Sequence, residues 1–132
     1  MNYPISDMAL RIKNAYKGQK DKVAFPHSGI KEKICSILKR DGFIEDFKVT
    51  QREGKSMKDI EIKLGYFENK KPTILEIKVT STPSLRFYKG AKEIRPYKNG
   101  LGVELFSTSS GILTDSECKE KNVGGLSLLR VF

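Results

Sequence analysis

The sequence predicts an α+β fold of two small subdomains: an N-terminal α-β-α-β-β unit, residues 1–67, packed on a mainly β unit with one short helix, residues 68–132. Three observations carry that expectation. Ile5, Met8, Ala9, Ile12, Ala15 and Tyr16 recur at the three-to-four spacing of an amphipathic helix. Ile60-Glu61-Ile62-Lys63-Leu64 alternates strictly, as a half-buried antiparallel strand does. The polar, proline-bearing stretch Glu68-Asn69-Lys70-Lys71-Pro72 then breaks the chain, and strand-like segments dominate beyond it.

In chain order, the first helix should stop near Gly18, with Arg11, Lys13 and Lys17 mostly off its apolar stripe. Lys22-Val23-Ala24-Phe25 reads as a short strand ending at Pro26. Ser28 can cap a second helix carrying Ile30, Ile34, Ile37 and Leu38, closed by Asp41-Gly42. A strand over 43–50 and a turn at Glu53-Gly54-Lys55 lead into the alternating strand. Beyond the break, strands are expected at 74–79 and 85–88, joined through Ser81-Thr82-Pro83-Ser84. A basic loop over 92–100 and a strand over 103–106 follow. Thr114-Asp115-Ser116-Glu117 has the spacing of a capping box and starts the short helix. An apolar strand ends at Phe132.

Between the 103–106 strand and that helix lies Ser107-Thr108-Ser109-Ser110-Gly111. Small hydroxyls both donate and accept at close range, and a glycine lets the backbone turn sharply or approach a partner. Such a composition makes a poor core segment and a good binding loop. Composition alone leaves an ordinary Ser/Thr turn as the competing reading.

The chain has 25 Lys and Arg against 16 Asp and Glu, a formal charge of +9. The excess is shared: 14 basic and 9 acidic residues up to Phe67, 11 and 7 from Glu68 on. Positive charge spread over a folded domain points to a polyanionic partner, most commonly nucleic acid. Arg86, Lys89, Lys92, Arg95 and Lys98 stand within one short stretch, with Tyr88 and Tyr97 among them. Cations neutralise phosphates, and tyrosine can stack on an exposed base. For Tyr97 the better reading is a ring half in the core; for Tyr88, core and RNA contact stay equally open.

Other classes find little support. Cys35 and Cys118 lie far apart, without metal-ligand spacing, and read as small buried residues in a reducing compartment. His27, the one histidine, reads as an exposed loop residue with no nucleophile or orienting acid assignable to it. Gly100-Leu101-Gly102 lacks the third glycine of a phosphate-cradling fingerprint and leads into a strand. No apolar run approaches the roughly 20 residues that span a bilayer, and Met1-Asn2-Tyr3-Pro4 has no signal-peptide pattern. The expectation is no enzyme, no cofactor, no metal and no membrane partner.

Ser107-Thr108-Ser109, Gly111, Thr114-Asp115 and Gly124-Gly125, with an apolar strand ending in an aromatic, resemble the small-subunit ribosomal protein eight family of bacteria and organelles. Asn99-Gly100-Leu101-Gly102, Ile5-Ser6-Asp7-Met8 and Arg11-Ile12-Lys13-Asn14-Ala15 extend the likeness, in one colinear order, over nearly the whole chain. The resemblance implies a structural rRNA-binding protein, monomeric within the particle. It would bind the central domain of small-subunit rRNA, neighbour other small-subunit proteins and help assemble the region. It implies a second role as repressor of its own operon mRNA. The ribosome would be cytoplasmic, or organellar if the gene is. The family's Ser-Thr-Ser contact carries over to Ser107, Thr108, Ser109 and Gly111, with Arg86, Tyr88, Lys89, Lys92, Arg11, Lys13 and Asn14 as supporting RNA contacts. A stand-alone RNA-hairpin or single-strand binder outside the ribosome is the alternative. Departures from the family are Leu126 for its usual glutamate, Phe132 for Trp, Cys118 and Lys119 for Ala and Arg, Asn122 for Gly, and Thr80, Thr82 and Ser84 for Ile, Lys and Gly.

Overall fold

The computed structural model describes residues 4–51, 53–54, 56–82 and 84–132. The expected turns at Glu53-Gly54-Lys55 and Ser81-Thr82-Pro83-Ser84 therefore each include one position, Lys55 and Pro83, outside the described residues, as are Met1, Asn2 and Tyr3. The fold is α+β with antiparallel sheets, and the described residues fall in two compact units: those within 7–74, and those within 75–132 together with residues 4–6.

The helix α1 (Pro4–Lys17), which belongs to the first unit from Asp7 on, carries the expected stripe, and Met8, Ala9, Ile12, Ala15 and Tyr16 are all buried. The left-handed residue that ends it is Gln19 (φ 51°), not Gly18, and Lys20 N–H closes back on Ala15 O. Strands β1 (Lys22–Pro26), β2 (Ile44–Gln51) and β3 (Lys58–Leu64) form a sheet of order β1-β3-β2. Its alternating residues Ile60, Ile62 and Leu64 are buried, while Lys63 points to solvent. That is how a period-two pattern separates two faces.

Helix α2 (Gly29–Arg40) begins where Ser28 Oγ accepts from Lys31 N–H, and Ile34, Cys35, Ile37 and Leu38 form its buried face. Gly42 follows the helix in the left-handed conformation. Lys31 is buried too. Its Nζ donates to Pro26 O at 3.1 Å and stands 5.5 Å from the Phe25 ring centroid, so the charge has partners inside the unit. His27 is not the exposed loop residue that the sequence suggested. It is half-buried with Nε2 3.3 Å from Glu32 Oε2, because the capped first turn of α2 brings Glu32 back toward the preceding loop.

The second unit is a five-stranded antiparallel sheet: β4 (Ile77–Val79), β5 (Tyr88–Lys89), β6 (Val103–Thr108), β7 (Gly111–Thr114) and β8 (Gly125–Val131). The order is β4-β8-β6-β7, and β5 pairs with β8 along the edge that β4 also uses. Two expected strands shorten. Leu75 and Glu76 N–H both donate to Phe132 O ahead of β4. Of 85–88 only Tyr88 pairs as a strand, because Thr82 and Leu85 close a tight bridge and Ser81 Oγ takes Phe87 N–H. The expected basic loop folds as two short 3-10 turns, Ala91–Glu93 and Tyr97–Gly100. Helix α3 (Asp115–Lys121) starts with both halves of the capping box formed between Thr114 and Glu117. Asn122 (φ 56°) ends it in the left-handed conformation that Asn tolerates better than most residues. Under the sheet, Ile94, Phe106, Leu113 and Cys118 pack as one buried cluster with Val123 against it.

Gly124 and Gly125 are required by close approach. A Cβ on Gly125 would lie 2.5 Å from Ser107 O, and one on Gly124 would lie 2.4 Å from Lys89 O. Gly125→Ala is expected to cost about 1–3 kcal/mol, the usual penalty of overpacking, read as a lower urea midpoint at unchanged slope. Cys35 and Cys118 are both free and fully buried, and burial pushes their thiols up to about 12 and about 11. Since the thiolate is the reactive form, both should resist a thiol-disulfide reagent in the native protein and react on unfolding. Rapid labelling of the folded chain would contradict their placement.

Candidate nucleic-acid interface

The sequence suggested a loop running from strand to helix; the chain instead makes a β-hairpin. Strand β6 continues through Ser107 and Thr108, and β7 pairs back on it, with Ser107 opposite Ile112 and Thr108 opposite Gly111. Ser109 and Ser110 form the turn, and Gly111 (φ 103°) supplies the positive φ after it. Thr108 Oγ1 donates to Gly111 O at 2.8 Å and accepts from Ser110 N–H at 3.1 Å. Its single proton is therefore used inside the turn, and Thr108 positions the hairpin. A run of hydroxyl residues hides the strand, since Ser is as common in turns as here; the apolar pair Ile112-Leu113 after a glycine was the available sign of a return strand.

Directly opposite residues of antiparallel strands share a face. Ile112, Ser107, Leu126 and Tyr88 thus form one row across β7, β6, β8 and β5. Tyr88 is 68% exposed, Ser107 and Leu126 are half-buried, and Ser109 and Ser110 lie open at the tip of the hairpin. The row is built on paired strands, so its side chains stand at fixed positions. Leu126, at its centre, offers no acceptor; hydrogen bonding along the row falls to the serine and tyrosine hydroxyls.

Other sequence-selected residues go elsewhere. Lys89 follows Tyr88 on the strand and so faces the opposite side of the sheet, where its Nζ stands 3.4 Å from Glu104 Oε1. Arg86 is exposed before β5, and Lys92 is exposed on the 91–93 turn. Arg11, Lys13 and Asn14 belong to the first unit and are exposed on α1. Arg11 is partly occupied there, pairing with Asp7 at 3.1 Å and donating to Ala24 O. Tyr97 is half-buried, as its sequence context suggested, with the Arg130 guanidinium 5.3 Å from its ring centroid. Among the described residues no group of three or more His, Cys, Asp or Glu could hold a metal ion, and no helix is long and apolar enough to cross a membrane.

The family model described as ribosomal protein S8 matches residues 3–132. "Small ribosomal subunit protein uS8" of Persephonella marina is 45% identical over 98% of this chain and 97% of its own length. Its namesake in Caulobacter sp. (strain K31) is 39% identical over 100% and 98%, and that of Thiobacillus denitrificans 45% over 95% and 93%. A whole-length family match and relatives of this similarity, spanning both units, place the chain in the ribosomal protein S8 family, a structural family and not an enzymatic one.

Proposed function

We propose that this chain is a structural constituent of the small ribosomal subunit that binds the central domain of small-subunit rRNA and orders it during assembly. The observation that supports this reading best is the row of Ser107, Leu126 and Tyr88 beside the open Ser109-Ser110 turn. An RNA helix exposes 2′-hydroxyls and base edges in a wide, shallow minor groove, while its major groove is too deep and narrow for side chains to read. Short hydroxyl side chains on a rigid hairpin can enter that shallow face, accepting from 2′-OH groups and donating to base acceptors. Tyr88 presents a ring for an unstacked base at the other end of the row. Preorganisation matters here, because a turn already stapled by Thr108 loses little entropy on binding.

In this reading the basic residues and Asn14 serve affinity and orientation. Arg86 and Lys92 in the C-terminal subdomain, residues 68–132, and Arg11, Lys13 and Asn14 on α1 meet phosphates and sugars, which fix orientation without reading sequence. Other small-subunit proteins are its neighbours in the particle, where it sits as a monomer. The same RNA shape in the mRNA of its own operon would make the protein a repressor of its own synthesis.

Crosslinking the protein to total RNA and reading the attached fragment tests the assignment; fragments outside small-subunit rRNA would overturn it. Co-sedimentation with small subunits in salt that strips casual binders separates this reading from a free-standing RNA binder. Ser109→Ala should weaken binding to a central-domain fragment by about 1–2 kcal/mol, the cost of a hydrogen bond lost in a desolvated site. An unchanged filter-binding titration would remove Ser109 from the contact. Lys92→Ala should instead act evenly across RNA sequences and flatten the salt dependence by roughly 0.7–0.9 in log–log slope, one phosphate's share.

A further inference from the structure

The face of the sheet opposite the hydroxyl row carries a charged cluster that the rRNA reading does not use. Lys78, Arg130 and Glu104 stand in register across β4, β8 and β6. Glu104 is buried, its side chain 3% exposed. Its Oε1 faces Lys89 Nζ and its Oε2 faces Arg130 Nε, each at 3.4 Å. Oε2 also receives the Ser127 hydroxyl at 2.5 Å, and Thr80 Oγ1 lies 2.6 Å from Ser127 Oγ. An ionised carboxylate only accepts, so the hydroxyl chain runs one way, from Thr80 to Ser127 to Glu104.

Both oxygens of Glu104 thus have partners, while the cations keep unused donors. Arg130 Nε is buried without a hydrogen bond, and its terminal nitrogens have none to the described residues. Its guanidinium carbon stands 5.3 Å from the Tyr97 ring centroid. Lys89 retains N–H groups beyond the one toward Glu104, and Lys78 has no ion-pair partner among the described residues. Like charges set directly opposite on neighbouring strands, as Lys78 and Arg130 are, repel each other. These groups border a cavity of about 210 Å³. Three cations and one carboxylate, Glu104, border it, with Val79 and Phe87 as its apolar walls.

We propose that this cavity is a phosphate site, in which Lys78, Lys89 and Arg130 bind a phosphate oxyanion, free or within a nucleic-acid backbone. Glu104 acts as the internal strut that fixes Lys89 and Arg130 before the ligand arrives. The excess of two positive charges suits a phosphate, whose oxygens accept from a guanidinium fork and from ammonium groups at once. The proposal goes beyond the rRNA reading and does not need it. The hydroxyl row and the cavity lie on opposite faces, with Tyr88 and Lys89 of the same short strand turned one to each.

The test is a titration of the intact, nitrogen-15-labelled chain with inorganic phosphate at constant ionic strength. Saturable shifts are expected at the Arg130 Nε–Hε signal and at the amides of Lys78, Thr80 and Ser127. Lys78→Gln, at an exposed position with no internal partner, should weaken that binding about tenfold, as loss of a charge-assisted contact does, with the rest of the spectrum unchanged. Arg130→Gln should abolish it. Shifts that rise linearly without saturating, or that persist equally in both variants, would overturn the site. A parallel titration with a small-subunit rRNA fragment assigns the source. A salt slope lowered by roughly 0.7–0.9 in Lys78→Gln marks the occupant as an RNA phosphate, whereas an unchanged slope beside retained phosphate binding marks it as free phosphate. Failure of the Ser109 contact would leave the phosphate titration untouched, so the two readings fail separately.

Discussion

The antiparallel pairing of β8 with three other strands is the constraint on which the C-terminal unit depends. Gly125-to-Val131 is hydrogen-bonded to β6 on one side and to both β4 and β5 on the other. That arrangement sets Ser107 beside Leu126 and Tyr88, and sets Glu104 beside Arg130 and within reach of Lys89. It is possible only because Gly124 and Gly125 leave out their Cβ atoms where the strands close in. A bulge at Leu128 adds one residue to β8 between the pairs Leu105–Leu129 and Phe106–Ser127. Such an insertion locally re-aims the side chains that follow, and here it lies between the Glu104–Arg130 pair and the Ser107–Leu126 pair.

Much of this architecture was legible in the sequence where the physics is local. The α1 stripe, the alternation of β3, the Ser28 cap and the Thr114–Glu117 box all depend on residues within one or two turns of each other, and each stands in the structure as read. Fine boundaries were less legible, because short strands are decided by partners far along the chain. Ile74-Leu75-Glu76 has strand composition, yet its first two N–H groups after Ile74 meet a single carbonyl, Phe132 O, and ladder pairing begins only at Ile77.

The candidate site shows the same division more sharply. Composition singled out the hydroxyl run, but its conversion into a hairpin hangs on the pairing of Ile112 with Ser107, which no local rule specifies. Tyr88 and Lys89 looked like one basic-aromatic pair; only the alternation along a paired strand turns them apart. Glu104 was invisible for a related reason. A glutamate among Val103, Leu105 and Phe106 reads as the solvent-facing member of an alternating strand, whereas the cations that permit its burial come from β5 and β8, distant in sequence. Burial of a carboxylate is tolerable only with such partners.

The brevity of β5 has a consequence for how this sheet edge can change. With two residues in the strand, sliding it by one place would carry the phenol into the ionic pocket and send the ammonium toward the serines, inverting the chemistry of both surfaces. The backbone of residues 89–91 lies so close to Gly124 that a Cβ there would stand 2.4 Å from Lys89 O, which ties the present register to a glycine. Two pairings, Tyr88 on Leu126 and Lys89 on Gly125, therefore decide which chemistry each surface presents.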